Sequence, residues 1–182
     1  FYYWYKFVDE LGSMRGVFDM SNYLQRLQNA IASATREMNP ANLSRCPAEG
    51  KWSAAEVLEH LLLTYKGTMK NLDRALNAGK PLGGIPTIKQ RFRNLVVLDL
   101  GYFPAGRNSP EPAKPKGMPP AEVLAATENA IKEMEDRIRQ CESRFGKTAR
   151  VGDHPILGPF TSEQWRKFHW VHGKHHVKQI LR

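Results

Sequence analysis

The sequence predicts an all-α protein, and more specifically a four-helix bundle. Four segments carry apolar residues at the three- and four-residue spacing of an amphipathic helix. Glycine, proline and capping residues mark most of the ends of these segments. The chain has no internal repeat and no alternating apolar and polar run typical of a strand. Four helices with one apolar face each bury those faces most simply against one another.

The first helix is predicted over residues 21–38. Asp19 or Ser21 is a candidate N-cap, and Asn39-Pro40 ends the helix because the residue before a proline avoids the helical region. The apolar positions follow helical spacing: Leu24, Leu27, Ile31, Ala34 and Met38. Residues 41–51 are interpreted as a linker.

The second helix, residues 53–79, has the clearest pattern in the chain. Ser53 and Glu56 form a capping box, Gly79 is a C-cap, and Pro81 follows. Its apolar face comprises Val57, Leu58, Leu61, Leu62, Tyr65, Met69, Leu72 and Leu76. His60 lies in the second turn and flanks this face.

Residues 81–120 form a long connection rich in glycine and proline. Residues 88–100 are predicted to form a short helix that packs on the bundle through Phe92, Leu95, Val96 and Leu98, and the remainder is expected to be extended. A connection of this length in a small domain is typical of a crossover or of a loop that covers a site. The helices therefore need not follow a simple up-down-up-down order.

The third helix is predicted from Pro119-Pro120 to a stop before Gly146, since proline is tolerated in the first turn. Its apolar stripe is Val123, Leu124, Thr127, Ile131, Met134, Ile138 and Cys141. A loop with His154-Pro155 and Gly158-Pro159 leads into the last helix, residues 161–182. Thr161 and Gln164 form a second capping box there.

Four of the six histidines lie on the last helix, at 169, 172, 175 and 176. Residues four apart on a helix lie on one face, so His172 and His176 can direct their rings to one point. The same face carries Trp165, His169 and Ile180, and should point inward. Buried histidines need a hydrogen-bond partner or a metal. Surface or hydrogen-bonded core histidines are the alternative interpretation. A catalytic metal centre usually has three protein ligands, so the third ligand must come from elsewhere.

Length and composition limit the functional classes. The 182 residues suit one domain, which we place at residues 14–182. The aromatic segment 1–13 is interpreted as an extension of uncertain origin. The net charge of +9 comes from scattered lysines and arginines, which indicates a solvated basic surface rather than a nucleic-acid interface. No apolar run reaches a membrane span. The two cysteines, Cys46 and Cys141, do not have the spacing of a metal site. They indicate unpaired thiols in a reducing compartment, and we infer a cytoplasmic protein.

The segments KWSAAEVLEHLLLTYKGTM and HPILGPFTSEQWRKFHWVHGKHHVKQI resemble the DinB-like (YfiT-like) superfamily over roughly residues 21–182. The resemblance implies a four-helix bundle with up-up-down-down connectivity and a divalent metal held by three histidines. His60 matches the ligand on the second helix, and His172 and His176 match the two on the last. Many relatives have Arg-Gly-Gln after the last histidine, where this chain has Val177-Lys178-Gln179.

Further residues around the triad are candidates for the site. Gln179, three residues after His176, is placed where a polar side chain can support a ligand. His169 is a candidate supporting or pocket residue, with direct ligation as the lesser alternative. His154 is interpreted as structural, with a role facing the substrate as the alternative. His175 should face about 100° away from His176 and lie outside the ligand set.

The resemblance implies two classes of function. In the first, the protein is an enzyme that acts on a small molecule, either a thiol-dependent S-transferase or a hydrolase, with zinc, or else nickel or iron, held by the histidines. A low-molecular-weight thiol is then the second cofactor, with Lys51, Lys89 or Arg91 as candidates to bind its carboxylates. In the second, the protein is a non-catalytic stress-response or interaction module. Neither class requires a nucleic acid or a membrane, and a homodimer is compatible with both.

Overall fold

The computed structural model describes residues 22–103 and 108–182. The segment 1–13 and the candidate caps Asp19 and Ser21 lie outside these residues. The described helices are α1 (Tyr23–Thr35), α2 (Pro40–Ser44), α3 (Ala54–Ala78), α4 (Ile88–Asn94), α5 (Pro120–Phe145) and α6 (Ser162–Ile180). The two strands are β1 (Arg150–His154) and β2 (Gly158–Thr161). None of these helices is long and apolar enough to cross a membrane.

The four long helices α1, α3, α5 and α6 form the bundle, which confirms the predicted fold class. α3 packs chiefly against α5, and α1 packs chiefly against α6. The core between them is built from the predicted apolar faces, and Leu27, Tyr65, Met134 and Trp165 are almost fully buried. Cys46 and Cys141 are both free, as predicted.

The directions of the helices differ from the expected up-up-down-down order, because α3 and α5 run parallel. Near their N-terminal ends, Thr127 on α5 donates a hydrogen bond to the carbonyl of Leu58 on α3. Near their C-terminal ends, Arg144 donates to the carbonyl of Leu76. A parallel pair requires the chain to return along the whole bundle, and the connection after Gly79 is long enough to do so.

The capping boxes at Ser53–Glu56 and Thr161–Gln164 are both present. Gly79 ends α3 in the left-handed region, at φ 69°. α1 stops at Thr35, short of the predicted end at residue 38. The predicted linker contains the short helix α2, where the Asn39 side chain accepts a hydrogen bond from the amide of Asn42.

The hairpin of β1 and β2 corrects the prediction that the chain contains no strand. The strands are antiparallel, with Gly152 opposite Phe160, His154 opposite Gly158, and an irregularity between Arg150 and Gly152. Both strands are short, and three consecutive residues of β2 are buried. A strand that is covered on both faces lacks the alternation on which sequence-based recognition depends.

The short helix in the middle connection packs differently from the prediction. α4 continues into a π-helical turn, Leu95–Asp99, and its buried apolar residues are Val97 and Leu98. Phe92 and Leu95 are instead 66% and 48% exposed. The wider i to i+5 turn changes which side chains face the bundle relative to a regular α-helix.

Candidate metal centre

His60, His172 and His176 form a buried cluster at one end of the bundle. His60 comes from the second turn of α3, and the other two occupy successive turns of α6. The Nε2 atom of His172 lies 3.3 Å from that of His60 and 3.0 Å from that of His176. One ligand nitrogen from each ring lies within 4.8 Å of the other two. Each ring is at least nine-tenths buried.

Hydrogen bonds at the outer edge of the cluster define the protonation of two of the rings. His60 Nδ1 lies 2.7 Å from the carbonyl oxygen of Ala113, and His176 Nδ1 lies 2.8 Å from Gln179 Oε1. Both oxygens can only accept, so each Nδ1 carries a proton and donates. In a neutral imidazole the other nitrogen then has a free lone pair. The lone pairs of His60 and His176 both lie at Nε2, inside the cluster.

The electrostatics keep these imidazoles neutral. Burial lowers the pKa of His60, and the hydrogen bond to Ala113 only partly opposes this effect. Burial, followed by the neighbouring histidines His176 and His60, lowers the pKa of His172 well below its usual value. Burial and the proximity of His60 lower the pKa of His176 to about 3. Neutral imidazole is the form that binds a metal.

The nitrogen spacing fits a divalent metal. Zinc–nitrogen bonds of about 2.0–2.1 Å in a tetrahedron place neighbouring nitrogens roughly 3.3 Å apart, close to the two Nε2 separations. Without a cation, the lone pairs of His60 and His176 would both face the Nε2 atom of His172. That atom carries at most one hydrogen, so it could donate a hydrogen bond to only one of the two lone pairs. The His172 Nδ1 atom is buried and has no partner among the described residues. Three nitrogen donors without a carboxylate suit zinc, nickel or iron.

A segment that we call the strap, residues 108–118, holds His60 in place. It provides the Ala113 carbonyl, and Ser109 Oγ also lies 3.2 Å from His60 Nδ1. Glu59 anchors the strap, because its carboxylate accepts backbone N–H groups of Lys116, Gly117 and Met118, each at 2.9 Å.

The charge of Glu59 is stabilised despite its burial. Burial by itself would raise the pKa of this carboxyl, but the three backbone N–H groups and the charge of Lys116 outweigh it and lower the pKa. Sequence reasoning missed Glu59. Its partners lie more than fifty residues along the chain, and no local pattern links them.

The other histidines of the sequence prediction lie around the triad. His169 is fully buried, and its Nε2 lies 3.0 Å from the Thr68 hydroxyl. His154, at the end of β1, packs its ring edge-on against Phe168 with centroids 4.6 Å apart. His175 is half-buried and lies outside the cluster, with its Nε2 3.4 Å from Gln179 Nε2.

A cavity of about 480 Å³ opens beside the cluster, and His60 and His172 are among the residues that line it. Its walls come from α3, α4, the strap, the hairpin turn and α6. In the part of the chain that the structure describes, the cationic residue of its lining is Arg93, which donates to the carbonyl of Ile156. Lys51, Lys89 and Arg91, the candidates for binding carboxylates, do not line it.

The comparisons with known proteins agree with this geometry at the level of the fold. A solved structure of YfiT from Bacillus subtilis matches with a TM-score of 0.54 and 16% sequence identity, covering 89% of this chain and 82% of that chain. YfiT is described as a probable metal-dependent hydrolase with an unusual four-helix bundle topology. No curated protein matches the sequence.

The family comparison covers nearly the whole described chain. The family model of the DinB superfamily matches residues 23–180, a range that begins with α1, ends with α6 and contains all three clustered histidines. The chain therefore belongs to the DinB superfamily.

Proposed function

We propose that this protein is a metal-dependent enzyme in which His60, His172 and His176 hold a divalent metal. Zinc is the first candidate, and nickel or iron the alternatives. The observation that carries the proposal is the convergence of three neutral imidazoles on one point through Nε2, two of them oriented by hydrogen bonds at Nδ1. The description of YfiT as a probable metal-dependent hydrolase supports the same class of chemistry.

The reaction we propose is transfer of a low-molecular-weight thiol to an electrophilic small molecule, or hydrolysis of such a molecule. A divalent ion bound in this way lowers the pKa of a thiol or water beside it, and so supplies a nucleophile at neutral pH. The chain's own residues orient the ligands and exclude water. Ala113 and Gln179 hold two rings in one tautomer, and Phe168 stacks on His172 with ring centroids 5.4 Å apart.

Metal content tests the first part of the proposal. The protein is purified without a histidine tag or a chelator, and its metal is measured by mass spectrometry beside His60→Ala, His172→Ala and His175→Ala. We expect about one equivalent of metal in the wild type, loss in the first two variants and retention in the third. His175→Ala is the matched control. It also removes an imidazole from α6, next to His176, but His175 lies outside the cluster. Less than a tenth of an equivalent in the wild type would overturn the proposal.

Turnover tests the second part and separates the two reactions. For S-transfer, metal-loaded protein is given cysteine and 1-chloro-2,4-dinitrobenzene, where a carbon–sulfur bond forms while chloride and the thiol proton leave. For hydrolysis it is given 4-nitrophenyl acetate, which water splits into 4-nitrophenol and acetate. We expect a rate above the uncatalysed one with at least one pair, lost in His172→Ala. Stoichiometric metal without turnover in a wider screen would favour a non-catalytic module.

A further inference from the structure

The surface of the cavity beside the triad is mostly apolar, although His60, His172 and His154 line it. Its lining includes Val96, Val97, Phe103 and Phe168, and none of the described residues that line it is acidic. Among the described residues that line it, Arg93 is the one basic residue apart from the histidines, and Arg93 is exposed. The described lining therefore offers no carboxylate to bind a cation and little to bind an anion. A neutral and mostly apolar ligand fits it best.

The cavity wall also carries a histidine, His154, whose tautomer the structure defines. His154 Nδ1 accepts hydrogen bonds from the backbone amides of Ile156 and Leu157, both at 3.1 Å. Since Nδ1 accepts, the proton of the neutral ring lies on Nε2. No described residue accepts from that Nε2–H group, and His154 lines the cavity.

A second N–H donor lies beside it. The Trp165 side chain is 2% exposed and lines the cavity, and its indole Nε1 is buried without a partner in the described part of the chain. Its ring centroid lies 6.1 Å from that of His154. Indole Nε1–H can only donate. A buried donor without an acceptor is costly, and native structures generally satisfy such groups.

We propose that this cavity binds a neutral, mostly apolar small molecule with one hydrogen-bond acceptor, such as a carbonyl oxygen, held by His154 Nε2–H and Trp165 Nε1–H. The inference rests on the proposed function in treating the cavity as the substrate site of the triad. Phe168 contacts both His154 and His172, with ring centroids 4.6 and 5.4 Å away. The histidine that would bind the acceptor and a histidine of the triad are therefore both in contact with the same aromatic ring.

Two ligands of nearly equal shape test whether the cavity prefers a ligand that carries a hydrogen-bond acceptor. The ketone 2-acetylnaphthalene and the alkene 2-isopropenylnaphthalene differ only in carrying C=O or C=CH₂. Binding of each to the full chain is measured by protein NMR, without metal and with one equivalent of zinc. We expect the metal-free protein to bind the ketone at least tenfold more tightly. The ketone should move the indole N–H signal of Trp165 downfield, and the alkene should not. That signal is assigned by its absence in Trp165→Phe.

Two variants remove the donors while keeping the local structure. Trp165→Phe keeps an aromatic ring. His154→Asp keeps an acceptor for the amides of Ile156 and Leu157 and carries no N–H group, because an Asp side chain commonly accepts from the amide two residues on. We expect each variant to reduce the ketone preference to threefold or less. Circular dichroism and metal content confirm that each variant is folded and that the triad is intact.

The outcomes separate this inference from the proposed function. Equal binding of ketone and alkene, or no binding of either, overturns the inference even if the triad holds metal. A ketone preference that requires zinc and is lost in His172→Ala places the acceptor on the metal, and overturns it as well. If the protein prefers the ketone but fails to bind metal, the inference of an acceptor-binding site is supported and the proposed function is refuted.

Discussion

The Nδ1 atom of His60 lies 2.7 Å from the carbonyl oxygen of Ala113, and this contact joins α3 to the strap at the end of a short 3₁₀ helix, Glu111–Ala113. The carbonyl accepts a hydrogen bond from His60 Nδ1–H, so the lone pair of His60 lies at Nε2, which faces His172. The strap that carries this carbonyl is held in turn by Glu59, the residue before His60. One turn of α3 therefore provides both a candidate ligand and the anchor of the group that orients it.

We predict that Glu59→Gln weakens binding of zinc by about tenfold, within the range for residues that orient metal ligands. The amide keeps one acceptor oxygen, but its NH₂ group then faces a backbone N–H that the carboxylate had satisfied. The strap loosens, and His60 loses the contact that orients its ring. Competition with a chromophoric chelator measures the affinity.

Glu37→Gln is the matched control for this prediction, because Glu37 is exposed on the turn after α1 and the same charge is removed. Equal zinc affinity in Glu59→Gln and the wild type would show that the strap does not orient His60.

Local patterns made much of the site recognisable from the sequence. His172 and His176 are one helical turn apart, so their shared face follows from helix geometry. His60 is the predicted third ligand once it is paired with the last helix, and the family resemblance supports that pairing, since no local pattern connects His60 to α6. Glu59 and its three amide partners could not be found this way, because a carboxylate on an apolar helix gives no indication of which distant backbone it meets. The parallel order of α3 and α5 depends on the path of the long connection, which has no periodic signal.

We predict that Arg166→Met lowers the free energy of unfolding by about 3–5 kcal/mol, as for removal of one partner of a buried ion pair. Arg166 is 3% exposed and forms paired hydrogen bonds with both Glu135 and Glu142 on α5. Methionine fills much of the same volume but leaves two carboxylates in a poorly hydrated position. Urea unfolding in the presence of a chelator measures the change without a contribution from metal.

Arg139→Met is the control for the ion-pair prediction. Arg139 contacts the same Glu135 but its side chain is 69% exposed, and exposed pairs contribute about 1 kcal/mol or less. If the two variants lose similar free energies of unfolding, the burial of Arg166 does not account for the contribution of its ion pairs to stability.

We predict that Gly173→Ala destabilises the protein by about 1–3 kcal/mol, the usual range for overpacking a core. A Cβ atom at this position would lie 2.2 Å from Leu27 Cδ1, where α1 crosses α6. The clash arises next to His172, so zinc affinity should fall together with stability. Gly67→Ala is the matched control: a Cβ atom there meets nothing within 4 Å, and a helical Gly→Ala change should stabilise by about 0.5–1 kcal/mol. A neutral result at Gly173 would mean that α1 and α6 can separate without cost.

We predict that the metal-free protein loses stability as the pH falls below about 6.5, and that His169 contributes to this loss. Burial, with a smaller effect from His154, lowers the pKa of His169 to about 3, whereas a histidine in the unfolded chain has a pKa near 6.5. Between these values the unfolded state binds a proton that the folded state does not, so stability falls as the pH falls. The slope for one histidine is about 1.4 kcal/mol per pH unit, or roughly 2 kcal/mol between pH 6.5 and 5.

His154 contributes to the loss in the same direction, since burial lowers its pKa to about 4. The contribution of His169 is isolated by comparing the wild type with the variant His169→Gln. His169→Gln cannot bind the proton but can still form a hydrogen bond with Thr68, the partner of His169 Nε2. Urea unfolding of both proteins in chelator, from pH 7 to 5, should show a loss smaller by about 2 kcal/mol in the variant. Parallel curves would mean that His169 accepts a proton in the folded state, which requires water or an acceptor to reach its second nitrogen. That nitrogen, Nδ1, is buried without a partner among the described residues, so we expect the curves to diverge.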